Sequence, residues 1–187
     1  MLSRLFGQRN NDEQARSLYQ AIVGQARSPE FYRACGVPDT VDGRFELVAL
    51  HAFLVLHRLK RDHDRTAGLA QQLFDILFRD MDASLREMGV GDLGVAPRIK
   101  VMVQGLYGRI AAYEAGLDAW PDAGPEALMD ALRRNLYGTV EASVPDLRVM
   151  ADYVRREAAD LAAQGADALI EGRVAFGAAP GAEEGPS

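Results

Sequence analysis

Apolar residues recur along this chain at intervals of three and four, the spacing that lines them up on one face of an α-helix. Ala15, Leu18, Ile22 and Ala26 make the first such face, and Asn11 with Gln14 forms a capping-box start for a helix over 12–27. Ser28-Pro29 restarts the chain, with serine as cap and proline at the first helical position, and the short turn that follows stops at Gly36. Pro38 pushes Val37 out of the helical region, so Gly36 to Thr40 is a corner, and Asp39 or Thr40 caps what comes next. The helix over 41–62 carries Phe45, Val48, Leu50, Ala52, Leu54, Val55 and Leu59 around most of its circumference. That coverage predicts the central, most buried helix.

A third helix over 66–88 has an unbroken stripe of Leu69, Leu73, Ile76, Leu77, Met81, Leu85 and Met88. Its other side bears Asp75, Arg79, Asp82 and Arg86 at ion-pair spacing, and Gly89 is a C-cap candidate. After a glycine-rich connection, Pro97 or Arg98 opens a fourth helix striped by Ile99, Met102, Leu106, Ile110 and Tyr113. Gly105 and Gly108 inside it each cost roughly 1 kcal/mol relative to alanine, which predicts close approach of another backbone or a partner. Pro121 to Pro125 separates a fifth helix over 125–137, and Pro145 opens a sixth with Leu147, Met150, Val154, Ala158 and Leu161 inward. Leu169 to Phe176 is expected to pack back on the body. With no strand alternation and no repeat, the pattern predicts an all-α, compact multi-helix bundle of about six helices. Residues 1–10 read as a flexible N-terminus, 11–176 as one helical domain and 177–187 as a disordered tail.

Composition narrows the function classes. The 187 residues are 48% hydrophobic and 26% charged, enough to bury a real core. A net charge of -6 argues against a broad DNA-binding surface. The single cysteine, Cys35, excludes an internal disulfide and fits a reducing compartment. The first seven residues lack the features of a secretory signal. The most apolar stretch, Leu47 to Leu56, is half the roughly 20 residues of a bilayer span. The expectation is a soluble protein, with peripheral membrane contact left open.

Candidate chemistry is sparse. His51, His57 and His63 are six residues apart, and at about 100° per residue they face three directions, so they cannot share an ion. Cys35 sits in an apolar corner without an obvious base, and the carboxylates of the third helix are interleaved with arginines. Gly89 to Gly94 matches G-x-G-x-x-G in letters, yet it follows a helix where a phosphate loop follows a strand. No catalytic residue, metal or cofactor is expected, and the chain reads as a binding protein rather than an enzyme. Arg98, Lys100, Tyr107, Arg109 and Tyr113 gather cations and aromatics on one helix, as an interface or as an ordinary amphipathic face.

Three segments go beyond periodicity: Gly36-Val37-Pro38-Asp39-Thr40 with Gly43-Arg44-Phe45-Glu46-Leu47; Phe78-Arg79-Asp80-Met81-Asp82 with Arg86 to Asp92; and Tyr107-Gly108-Arg109 with Ala112-Tyr113. In this order they resemble the ubiquinol–cytochrome c chaperone family of mitochondria and alphaproteobacteria, over about Leu18 to Leu117. Leu106 and the stretch Ala96 to Lys100 depart from the family pattern. The resemblance implies an assembly chaperone that binds newly made or newly inserted cytochrome b and helps build ubiquinol–cytochrome c reductase. It also implies a small helper protein and the ribosome as further partners. On it, Arg86, Asp92, Tyr107, Arg109 and Tyr113, with Arg44, are the expected partner-binding residues, near a groove by the third and fourth helices. A ribosome- or membrane-surface adaptor and a small-ligand binder stand as alternatives.

Overall fold

The computed structural model describes residues 2–87 and 92–182, with side chains except those of 2–10, 85, 92–96, 98, 99 and 102. Eight helices occur among the described residues: α1 (Leu2–Ala26), α2 (Pro29–Arg33), α3 (Val41–Lys60), α4 (His63–Glu87), α5 (Asp92–Ala123), α6 (Glu126–Arg134), α7 (Val144–Ala163) and α8 (Ala166–Ile170). No strand is found among these residues, and the chain is all-α as the periodicity predicts. Six helices are long, while α2 and α8 are five-residue turns.

The central helix is α3, which divides the core in two. Leu47, Leu50, Phe53 and Leu54 pack toward α6, α7 and the turn around α2. Ala49, Ala52, Val55, Leu56 and Leu59 pack toward α1, α4 and Leu106 of α5. Thr40 caps α3 by accepting from the Gly43 N–H at 3.1 Å, and Ser143 caps α7 through the Asp146 N–H at 3.2 Å. Satisfying one orphan donor in this way is what favours Ser and Thr at those positions. Of the two candidate caps for α3, Asp39 instead accepts from Arg44.

Several boundaries differ from the sequence expectation. The first helix runs through Asn11 from Leu2. α5 begins at Asp92 and contains both Pro97 and Pro121. The chain turns only at Gly124, with φ +76, a left-handed conformation that glycine adopts without a Cβ clash. No other backbone of the chain approaches Gly105, where only the flexible Arg109 side chain lies near, or Gly108, which has nothing within 4 Å. Close approach occurs at Gly116, where a Cβ would meet Leu128 Cα at 2.7 Å, so α5 and α6 touch backbone to backbone there. The Gly89 cap, with Val90 and Gly91, lies outside the described residues, and the rest of the expected glycine-rich connection, from Asp92 on, is helical.

The stretch after α8 crosses the body as an extended strap held by its main chain. Gln164 both accepts from the Ala175 N–H at 3.0 Å and donates to the Ala175 carbonyl at 2.7 Å. Gln25 donates to the Gly177 carbonyl, Glu157 accepts from the Gly177 N–H, and Arg156 donates to the Ala178 carbonyl. Residues 177–182, assigned to the tail on sequence, therefore lie against the body. Their low apolar content hid this, because the contacts are hydrogen bonds to backbone.

Candidate functional site

A groove of about 1060 Å³ opens between the C-terminal end of α1, the start of α3, the second half of α4 and the turn after α6. Its apolar lining includes Val23, Phe45, Val48, Leu77 and Met81, and arginines and acids surround it. Each element supplies this lining for a local reason. Val23 lies one position past the buried stripe of α1, and Leu77 and Met81 continue the stripe of α4. Phe45 and Val48 are only partly buried, at the end of α3 where its apolar coverage outruns the helices packed on it.

The expected interface residues separate in the structure. Arg44 and Arg109 line the groove. Arg44 is exposed and donates to Asp39 Oδ1 at 2.7 Å. Arg109 reaches back from α5 to make a two-pronged pair with Glu46, one arm at 2.6 Å, while its guanidinium lies 5.7 Å from the centre of the Phe45 ring. Glu46 is only 8% exposed. Burial pushes its carboxyl above the usual range, and the hydrogen bonds and charge of Arg109 pull it back without reversing the shift. Arg109 is thus an internal strut as well as a groove residue.

Arg86 is on the exposed face of α4, beside Asp82 at 2.6 Å. Tyr107 is 58% exposed, and its ring stacks on Phe74 with centres 5.7 Å apart. Phe74 stacks in turn on Phe78, so α4 and α5 share an aromatic row whose two phenylalanines pack against the edge of the core. Asp92 opens α5 at a position whose side chain lies outside the described residues. Tyr113 does not join any of them at the surface. It is fully buried, its ring 5.4 Å from that of Phe53, and its hydroxyl has no hydrogen-bond partner among the described residues. Tyr113 continues the apolar stripe that runs through Leu106 and Ile110, so the residue is core.

The histidines separate as well. His51 is buried, with Phe31 and Phe176 edge-on to its ring. His57 meets Glu114, and His63 is exposed. No cluster of three metal-ligating groups occurs among the described residues. Cys35 is buried, and burial pushes its thiol up to about 11, far from a reactive thiolate at neutral pH.

A family model described as ubiquinol–cytochrome C chaperone matches residues 33–176, from the end of α2 to the strap. The chain belongs to the ubiquinol–cytochrome c chaperone family. It is 24% identical over 160 residues to a Xenopus laevis protein named ubiquinol-cytochrome-c reductase complex assembly factor 1, covering 85% of this chain and 78% of that one. The mouse and human proteins of that name are each 25% identical over 84% and 85% of this chain, which spans about half (52%) of their length. The crystal structure of the Cbp3 homolog from Brucella abortus is 38% identical, with a TM-score of 0.82 over 95% of this chain and 97% of that one. The chaperone family's matched region takes in all of α3 to α8, including Arg44, Arg109 and the aromatic row.

Sequence reasoning missed Arg27, Arg33 and Arg134, which line the groove from the ends of α1, α2 and α6. Each is an unremarked basic residue at a helix end, and nothing local signals that the three share one wall. No described helix is long and apolar enough to cross a membrane.

Proposed function

We propose that this chaperone holds newly made cytochrome b in the groove between α1, α3 and α4 while ubiquinol–cytochrome c reductase is assembled. The observation that carries the reading is the groove itself: partly exposed apolar side chains under a charged rim, on a member of an assembly-chaperone family. An apolar patch left open on a folded protein is a cost unless a partner covers it. Arg44 and Arg109 contact the client directly in this scheme, and Tyr113 supports the Arg109 segment from the core. Arg86, Asp92 and the exposed Tyr107, on α4 and α5, serve a small helper protein or the ribosome. The protein works without catalysis, on the cytoplasmic side of the inner membrane and in peripheral contact with it.

Affinity capture of the native protein from growing cells, with identification of bound chains, tests this reading. Cytochrome b should be recovered, and Arg44→Glu should reduce the recovery while far-UV circular dichroism is unchanged. Arg44 suits the test because its one partner is on the surface. Normal recovery of cytochrome b with Arg44→Glu, or none with the wild type, would count against the proposal.

A further inference from the structure

We infer that the segment entering this groove is an acidic amphipathic polypeptide, one that carries carboxylates beside apolar side chains. The inference rests on the groove being the client site and adds the chemistry of what the site accepts.

Charge on the groove wall is unevenly compensated. Arg44 is bonded to Asp39 and Arg109 to Glu46, while the two remaining carboxylates of the lining are Asp42 and Asp80, the latter accepting from the neutral Tyr19 hydroxyl at 2.7 Å. Arg27, Arg33 and Arg134 make no hydrogen bond or ion pair through their side chains among the described residues. Two contacts bring these three together. The Tyr32 hydroxyl donates to the Ala26 carbonyl at 3.0 Å, fixing α2 beside the end of α1. The Tyr137 hydroxyl donates to the Cys35 carbonyl at 2.6 Å, fixing the end of α6 beside the end of α2.

A cation near a helix C-terminus is favourable in itself, which accounts for each arginine taken singly. It does not account for three of them at one corner of one apolar-floored groove. The groove lining holds five arginines against four carboxylates on a chain of net charge -6, so its balance runs against that of the molecule as a whole. A guanidinium binds a carboxylate through two parallel hydrogen bonds, and complementary charge of this kind sets orientation and speeds encounter.

The groove's size and shape favour a polypeptide over other anions. At about 1060 Å³ it is at the upper end of the range for small-molecule pockets and open along its length. It is concave between helices, which a flat bilayer cannot enter.

The test uses the full chain with two fluorescent synthetic helical peptides, one of leucine with glutamate and its counterpart of leucine with lysine. The glutamate peptide should bind and the lysine peptide should not. Binding should weaken at least tenfold in R27E/R33E/R134E, and should weaken with added salt in the wild type. R27Q/R33Q/R134Q, which removes charge without reversing it, should give a smaller loss of the same sign and serves if the reversal variant fails to fold. Equal binding of the two peptides, or unchanged binding in both variants, overturns the inference. So does capture of phosphatidylglycerol vesicles, in place of the peptide, through the same arginines. Cytochrome b recovery unaffected in the triple variants overturns it while leaving the client assignment standing. Peptide discrimination without any recovery of cytochrome b supports it and removes the client assignment.

Discussion

Tyr153 on α7 donates its hydroxyl to Nε2 of His51 on α3 at 2.8 Å, inside the core. Nδ1 of the same ring lies 2.7 Å from the Leu47 carbonyl. A carbonyl only accepts, so the proton is on Nδ1 and the ring is neutral. Gln25 donates to the Tyr153 hydroxyl at 3.0 Å and to the strap at Gly177, so one chain of bonds joins α1, α3, α7 and the C-terminal strap.

This ring is set to resist protonation. Burial lowers its pKa from 6.5 to about 4, against the opposing Leu47 bond. Between those values the unfolded chain binds a proton that the folded chain refuses. Stability should therefore fall as pH drops from about 6.5 toward 4, by at most about 1.4 kcal/mol per pH unit. Glu46 and Glu157, both shifted upward mainly by burial, act with the opposite sign in the acid range. The His51 part is thus read as the difference between wild type and His51→Gln in urea unfolding at several pH values. Parallel pH profiles for the two proteins would refute the assignment.

Tyr153→Phe removes the donor to Nε2 and leaves a buried acceptor unmatched. A loss of about 1–3 kcal/mol is expected from that desolvated group. Equilibrium unfolding would show it as a lower midpoint at unchanged slope, and a change under about 0.5 kcal/mol would mean the bond is absent in solution.

Arg109 and Glu46 should be strongly coupled. Arg109→Gln strands a carboxylate that is 8% exposed, and a loss of about 2–4 kcal/mol follows, below the range for a fully dry pair. Glu46→Gln should cost less, because the Arg109 side chain keeps 21% of its exposure. The double variant should recover part of the loss, and additive singles would refute the pairing.

At Gly177 an added Cβ would lie 2.6 Å from Glu157 Oε1. That carboxylate is buried and bonded to the Gly177 N–H, so it has little room to yield. Gly177→Ala should cost about 1–3 kcal/mol. Hydrogen exchange should quicken at residues 175 and 177 while the amides of α3 and α7 keep their protection.

Gly108 makes the opposite case. It is helical, and nothing lies within 4 Å of its added Cβ. Gly108→Ala should raise stability by up to about 1 kcal/mol, seen as a higher melting temperature. If the same variant captures less cytochrome b, a partner backbone approaches α5 at that point.

Helical class was written in the chain at every scale that local physics reaches. Stripes such as Ala15–Leu18–Ile22–Ala26 and Leu69–Leu73–Leu77 are buried as their spacing requires, since at 3.6 residues per turn positions three and four apart share one face. The caps at Thr40 and Ser143, and the coverage that makes α3 central, are equally local. Family membership was legible too, because Arg86 to Asp92 and Tyr107 to Arg109 are residue choices that periodicity does not explain.

What lay between elements was decided only by packing. No spacing rule says that Arg109 meets Glu46, sixty-three residues away, whereas the burial of Tyr113 follows from its place in the stripe of α5. Pro97 and Pro121 argued for helix ends, yet α5 runs through both. The strap looked like a tail because its anchors, Gln25, Arg156, Glu157 and Gln164, lie on other helices and hold backbone atoms rather than side chains. The groove and its three uncompensated arginines exist only because the ends of α1, α2 and α6 meet, a fact of three-dimensional contact that sequence distance conceals.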